Sequence, residues 1–259
     1  MALAGCAALV AGPRERADAL AAQGGFAAAP EAFPLRAYRR GARAPGPVTI
    51  FIEGDGARWP RGRPPRDPTP EDPLALRLAL ADPTAKVAYL GRPCQYLDDG
   101  PRDDCPSALW TSARFGDEAI AMTMGAIDRV KGATQASAIH LVGYSGGGAL
   151  ATLIAARRSD VTCLVTIAAP LDLTAWAEIL AVAPLKQSVD PLARAEAVTA
   201  IPQTHFSGGR DPVVPPATLA AYRQRQPHAR FELVADFDHE CCWVAAWSRL
   251  RRQSCLADD

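Results

Sequence analysis

Apolar and polar positions along the chain fall into two alternating kinds of run. Short, β-branched stretches at residues 48–52, 86–90, 137–142, 161–168, 203–206 and 230–234 have the length and composition of buried strands. Longer mixed runs at residues 115–130, 147–156, 217–226 and 240–252 read as helices. That alternation predicts an α/β protein with a mostly parallel central sheet and helices on both faces. No long linker, repeat or heptad tract divides the chain, so one domain is expected over residues 31–259, with a low-complexity, alanine-rich tether before it within residues 1–30. Residues 171–201 break the alternation after the strand ending near Ala168. They read either as a small cap with Trp176, Ile179, Leu180, Val182 and Leu185 on its underside, or as helices packed on the sheet. Residues 58–73 are rich in proline and arginine and read as a surface loop.

Charge narrows the function classes. The 28 basic and 28 acidic residues cancel, so no broad field for nucleic acid is implied. Arg157-Arg158 and Arg249, Arg251 and Arg252 fall at expected helix ends, where they complement the helix dipole. No stretch is long enough to span a bilayer.

The strongest chemical signal is Gly143-Tyr144-Ser145-Gly146-Gly147, between the strand at 137–142 and the helix at 147–156. A serine at a sharp strand-to-helix turn presents its hydroxyl to open space, and small residues at Gly143 and Gly147 let strand and helix approach. The Gly146 N–H, at the helix N-terminus, faces any oxyanion formed there. The plain alternative is a glycine-rich turn that packs or binds phosphate.

A serine nucleophile needs a base and an orienting acid. Of four histidines, His140 and His205 lie inside strands and read as packed sheet residues, and His228 lies in a polar loop. His239 follows the strand at 230–234 and a short loop, at the carboxyl end where α/β sheets place their chemistry. The acid is expected between serine and histidine in chain order. Asp211, at the tip of a glycine turn before a proline-rich loop, is favoured over Asp172, one strand earlier. Asp236 and Asp238 read as caps of the following helix. A second oxyanion donor is expected after the strand at 48–52, in Glu53-Gly54-Asp55-Gly56, where the Asp55 N–H takes that place. The Asp55 carboxylate then has to point away or be neutralised, with Arg58 and Arg92 as candidates.

Taken in order, these motifs resemble those of the α/β-hydrolases, over residues of about 35 to 252. Within that superfamily the chain is similar to uncharacterised bacterial α/β-hydrolase lipoproteins, through Ile52-Glu53-Gly54-Asp55-Gly56, Arg92-Pro93-Cys94-Gln95-Tyr96, Trp110-Thr111 and Arg114-Phe115. The resemblance implies the α/β-hydrolase fold and a Ser145–His239–Asp211 serine hydrolase acting through an acyl-enzyme on a small acyl substrate, a carboxylic ester first. Peptidase, thioesterase or lipase chemistry on the same residues, and a non-catalytic envelope binding protein, are the alternatives. No metal or organic cofactor is expected.

Leu3-Ala4-Gly5-Cys6 matches a lipobox, in which Cys6 becomes the acylated first residue, but the basic and apolar regions of a signal are missing before it. A periplasm-facing lipoprotein in the cell envelope is expected if the start is truncated, and a cytoplasmic protein if it is complete as written. The only membrane contact expected is that anchor. In an oxidising envelope Cys94 and Cys105 are a candidate disulfide. Cys241 or Cys242 is expected to bridge to Cys255, leaving Cys163 buried and free. A metal site at Cys241, Cys242 and His239 is rejected, since no second paired-ligand motif exists.

Overall fold

The computed structural model describes residues 11–57, 63–97 and 104–257. Its strands are β1 (Ala27–Ala28), β2 (Ala37–Arg40), β3 (Pro47–Ile52), β4 (Val87–Leu90), β5 (Ala138–Tyr144), β6 (Val161–Ile167), β7 (Gln203–Gly208) and β8 (Arg230–Val234). They form one sheet in the order β1-β2-β4-β3-β5-β6-β7-β8. From β4 to β8 every pairing is parallel; β1 and β2 add an antiparallel edge. The mostly parallel sheet expected from the sequence is therefore present, with two short edge strands that periodicity did not reveal.

The strand sequences read as nearly continuous apolar runs because both faces are covered. Successive side chains alternate sides. Val48, Ile50 and Ile52 of β3 pack with Ile139 and Leu141 of β5 under helices α3 (Asp117–Thr134) and α4 (Gly146–Ala155). Phe51, Tyr89, Val142 and Val165 face the other way, onto α1 (Pro13–Gln23), α2 (Leu74–Ala81) and α7 (Trp243–Arg252). Each such fully buried side chain contributes about 1.5–3 kcal/mol. Between β6 and β7, residues 171–201 form α5 (Leu173–Leu180) and a 3-10 segment, Pro191–Val198. Leu173 and Ala177 are buried there, while Ile179 and Val182 are exposed. α6 (Ala220–Arg225) precedes β8.

Three expectations are corrected. The described part of the N-terminal tether is not free: α1 buries Ala17 and Ala21, Phe26 enters the core, and β1 joins the sheet. Small alanine side chains, read as low complexity, let α1 lie close against α2 and the sheet. Cys163 is not free and Cys255 does not bridge to the Cys241-Cys242 pair: Cys163 joins Cys255, and Cys241 joins Cys242. The reason is tertiary: the chain after α7 folds back over β6, burying Leu256 in the cluster that holds Cys163. At a sequence separation of 92, that bond is worth about 4–5 kcal/mol by chain entropy. Lastly, α7 begins at Trp243 and not at residue 240, so Asp238 caps the turn before the helix, accepting the Glu240 and Cys241 N–H groups. Asp236 pairs instead with Arg210. The Cys94–Cys105 disulfide is present as expected. Cys6 and Arg58 lie outside the described residues.

Candidate active site

The carboxyl edge of the sheet brings Ser145, His239 and Asp211 together from β5, the loop after β8 and the loop after β7. Ser145 sits at the turn into α4 with φ 51°, a left-handed conformation uncommon for a residue with a side chain. The strain is held by packing on every side. A Cβ on Gly143 would strike the Gly147 carbonyl and Gly148, and one on Gly147 would strike the Ile52 and Glu53 carbonyls. The Ser145 N–H donates to the Ile167 carbonyl at 2.8 Å.

His239 Nδ1 lies 2.8 Å from Asp211 Oδ2, and its Nε2 lies 3.0 Å from Ser145 Oγ. A carboxylate only accepts, so Nδ1 carries the proton toward Asp211 and the Nε2 lone pair faces the serine hydroxyl. The Asp211 side chain is fully buried. Its other oxygen accepts the Val213 and Val214 N–H groups, both at 2.8 Å. Gly208 and Gly209 allow this loop to touch the backbone of residues 235–238, where any Cβ would collide. The Arg210 N–H closes the contact on the Phe237 carbonyl at 2.9 Å.

The histidine backbone is held as firmly as its ring. Tyr144 Oη donates to the His239 carbonyl at 3.1 Å, and Trp243 Nε1 shares that acceptor at 3.0 Å. The Tyr144 and His239 rings lie 5.3 Å apart. Sequence reasoning missed both residues, although Tyr144 stands inside the pentapeptide it singled out.

Opposite the serine, the Glu53–Gly56 loop lies against the start of α4. Gly54 abuts the Ser145 Cβ, and the Asp55 carboxylate occupies the space where a Gly146 side chain would be. The Asp55 and Gly146 N–H groups donate to no described protein group. The carboxylate does not point away; it is neutralised. Arg92 Nη1 reaches one oxygen at 2.9 Å and Arg114 Nη1 the other at 2.8 Å. Burial alone would raise the Asp55 pKa, but the two guanidinium groups outweigh it and hold the carboxyl below its ordinary value. Arg92 was foreseen for this role and Arg114 was not.

Glu53 accepts the Gly54 N–H at 2.9 Å, the Ala75 N–H at 3.3 Å and the Tyr89 hydroxyl at 3.2 Å. It thereby ties the loop to the first turn of α2. Burial pushes its carboxyl up to about 7, against the lowering effect of these donors. Gln95 Nε2 donates to the Gly54 carbonyl at 3.1 Å and holds the loop from the other side.

The remaining candidates fall elsewhere. Asp172 caps α5 through the Ala175 N–H at 2.9 Å. His140 and His205 are buried in β5 and β7, and His228 is exposed. His205 Nδ1 lies 2.8 Å from Thr166 Oγ1, and burial lowers its pKa to about 3. Trp176 of α5 donates through Nε1 to the Val213 carbonyl at 2.8 Å, beside the Asp211 turn, and its ring lies 6.0 Å from the Arg114 guanidinium. A separate cavity of about 400 Å³ on the far side of α5, lined by Ala177, Val182 and Leu185, contains none of the three central residues.

No family model and no curated protein matches the sequence. Solved structures do match in fold. The esterase Est1E from Butyrivibrio proteoclasticus superposes with a TM-score of 0.59 at 11% identity, over 85% of this chain and 92% of that one. A puromycin-hydrolyzing peptidase from Mycobacterium tuberculosis gives 0.62 at 14%, over 88% and 40%. The Pyrococcus horikoshii acylaminoacyl peptidase gives 0.61 at 12%, over 84% and 38%. The chain thus spans well under half the length of these peptidases. With esterases and peptidases of this architecture as its structural neighbours, and with its parallel sheet, serine turn and helical layers, the chain has the α/β-hydrolase fold.

Proposed function

We propose that the protein is a serine hydrolase that cleaves carboxylic esters through an acyl-enzyme, with Ser145 as nucleophile, His239 as base and Asp211 as orienting acid. The observation that carries this reading is the His239 ring, 2.8 Å from a buried carboxylate on one side and 3.0 Å from a serine hydroxyl at a strained turn on the other. His239 Nε2 takes the Oγ proton as Oγ attacks the carbonyl carbon, and Asp211 stabilises the imidazolium. The Gly146 and Asp55 N–H groups receive the oxyanion. Collapse expels the alcohol, which takes its proton from His239. A water deprotonated by His239 then releases the acid and frees Ser145.

Esterases among the structural neighbours support the ester as substrate class, and the acylaminoacyl and puromycin-hydrolyzing peptidases keep an amide reading beside it. A panel of 4-nitrophenyl esters, thioesters, peptide anilides and long-chain glycerides separates esterase, thioesterase, peptidase and lipase. A fluorophosphonate probe tests the site itself. The parent should label and Ser145→Ala should not, with turnover lower by on the order of 10⁴-fold or more. Equal labelling of both proteins would remove Ser145 from the reading, and no labelling of a folded parent would favour a binding protein. Three disulfides among the described residues support an oxidising compartment. We extend the proposal to a lipid anchor at Cys6, to be tested by metabolic labelling with a fatty acid, which Cys6→Ser should abolish.

A further inference from the structure

Cys241 and Cys242 are joined to each other, two residues beyond His239. The other disulfides join positions 11 and 92 residues apart, and closing such loops restricts the unfolded chain. A bond between neighbours closes no such loop, so its effect is confined to the backbone it sits in. Cys241 and Cys242 are both exposed, whereas Cys94 and Cys163 are buried. Exchange requires a thiolate to reach a sulfur, so an exposed disulfide is the more labile kind.

The backbone in question is the one that carries the base. Asp238 Oδ1 accepts the Glu240 N–H at 2.8 Å and the Cys241 N–H at 2.7 Å. Trp243 Nε1, just past the cysteines, donates to the carbonyls of both Asp238 and His239. Residues 238–243 are therefore one hydrogen-bonded turn with the cysteine pair inside it. Among the described residues, no other disulfide lies in the turn that holds His239 over Ser145.

We infer that Cys241–Cys242 is a redox-modification site for dithiol reductants, whose joined form holds the 238–243 turn so that His239 meets Ser145. The inference rests on the proposed roles of Ser145 and His239. A thiolate of the dithiol attacks one cysteine sulfur, forming a mixed disulfide and releasing the neighbouring cysteine as a thiolate, which takes a proton from water. The second thiolate of the reductant displaces the remaining cysteine sulfur, which is protonated in turn, and the reductant leaves as a disulfide. Two electrons and two protons pass to the cysteines, and the dithiol is oxidised by two electrons.

The full-length oxidised protein is titrated with dithiothreitol, alkylated and mapped by peptide mass spectrometry, while the rate of Ser145 labelling by a fluorophosphonate is followed in the same samples. The pair should open at concentrations that leave Cys94–Cys105 and Cys163–Cys255 closed. Labelling should slow roughly tenfold as the turn loosens and recover on reoxidation. A Cys241→Ser/Cys242→Ser variant with a native melting curve should label at the slow rate and ignore dithiothreitol. If that variant does not fold, the titration of the parent decides alone. Opening no earlier than the other disulfides, or opening without a change in rate, overturns the inference. Selective opening with no labelling in either state instead defeats the serine-hydrolase reading, and the inference falls with it.

Discussion

The two flanks of the site are held by different physics. On one flank, that of the proposed nucleophile, Ser145 and the Glu53–Gly56 loop are fixed by close approach. Glycines stand wherever a Cβ would strike backbone or the Asp55 carboxylate, and buried charges complete the fit. On the other flank, that of the proposed base, His239 leaves a strand whose end abuts Gly208 and Gly209, and reaches the site on a turn held by single hydrogen bonds to Asp211 and from Tyr144 and Trp243, with one disulfide inside it. Steric fixing fails all at once when it is violated. Hydrogen-bonded fixing fails by degrees. The first flank should therefore respond to a single added methyl group with a large loss, and the contacts to the His239 backbone with graded ones; Asp211 stands apart, because it acts on the imidazole itself.

The sharpest loss on the base flank should come from Asp211→Asn, which removes the carboxylate that selects the His239 tautomer. We expect turnover to fall by on the order of 10⁴-fold with the circular dichroism spectrum unchanged. A fall of less than tenfold would shift the orienting role away from Asp211. Gly146→Ala tests the other flank. Its methyl group meets the Asp55 carboxylate and displaces the oxyanion loop, so kcat should drop by about 10²–10³-fold for the addition of one carbon. Full activity in the Gly146→Ala variant would show that steric fixing is not what sets this loop.

Arg92→Met leaves Asp55 with Arg114 alone. Removing one partner of a buried ion pair commonly costs about 3–5 kcal/mol. Asp55 is 28% exposed and keeps its second guanidinium, so about 2 kcal/mol is expected by denaturant titration. Tyr144→Phe should have the smallest effect. It deletes one hydrogen bond to the His239 carbonyl, worth about 1 kcal/mol, and should lower kcat several-fold with KM unchanged because Trp243 Nε1 still holds that acceptor. A changed KM would instead place Tyr144 in substrate binding.

The flanks also differ in their response to pH. Glu53, on the nucleophile flank, has its pKa raised to about 7 in the folded protein. Between about 4.5 and 7 the folded state binds more protons than the unfolded chain, so this group makes stability decline as pH rises through that window. His205, in β7 beneath the base flank, has its pKa lowered to about 3. Between about 3 and 6.5 the unfolded chain binds more protons, so His205 makes stability rise with pH. In urea titrations from about pH 4 to 8, Glu53→Gln should therefore show a steeper rise below about pH 6.5, and a slope identical to the parent's would show that Glu53 takes up protons alike in the folded and unfolded states.

How much of this was legible in sequence follows from how local each feature is. Ser145 was legible because its turn needs glycine at fixed offsets between a strand and a helix. Asp211 and His239 were legible because each follows a strand at its carboxyl end, where a parallel sheet collects its loops. Arg114 and Tyr144 were not, because each acts through a contact made across the sheet edge, and Trp243 was not, because its bond to the carbonyl four residues back depends on the turn at 238–243. Arg114 meets Asp55 from 59 residues away, and Tyr144 meets the His239 carbonyl from 95. The same holds for the cysteines. Cys94 and Cys105 bracket one loop, and their pairing was read correctly. Cys163 and Cys255 meet only because the C-terminal turn returns over β6.

The sequence by itself determined the alternation of strands and helices, the strained serine turn and the chain order of the three central residues. These follow from local sterics and from side-chain periodicity, which a string of residues carries in full. Tertiary structure alone decided that the alanine-rich N-terminal segment packs, that Asp55 is neutralised by two arginines, and which distant cysteines pair. Each of those is a choice among distant partners, set by which surfaces the folded sheet brings within reach of a hydrogen bond, an ion pair or a sulfur.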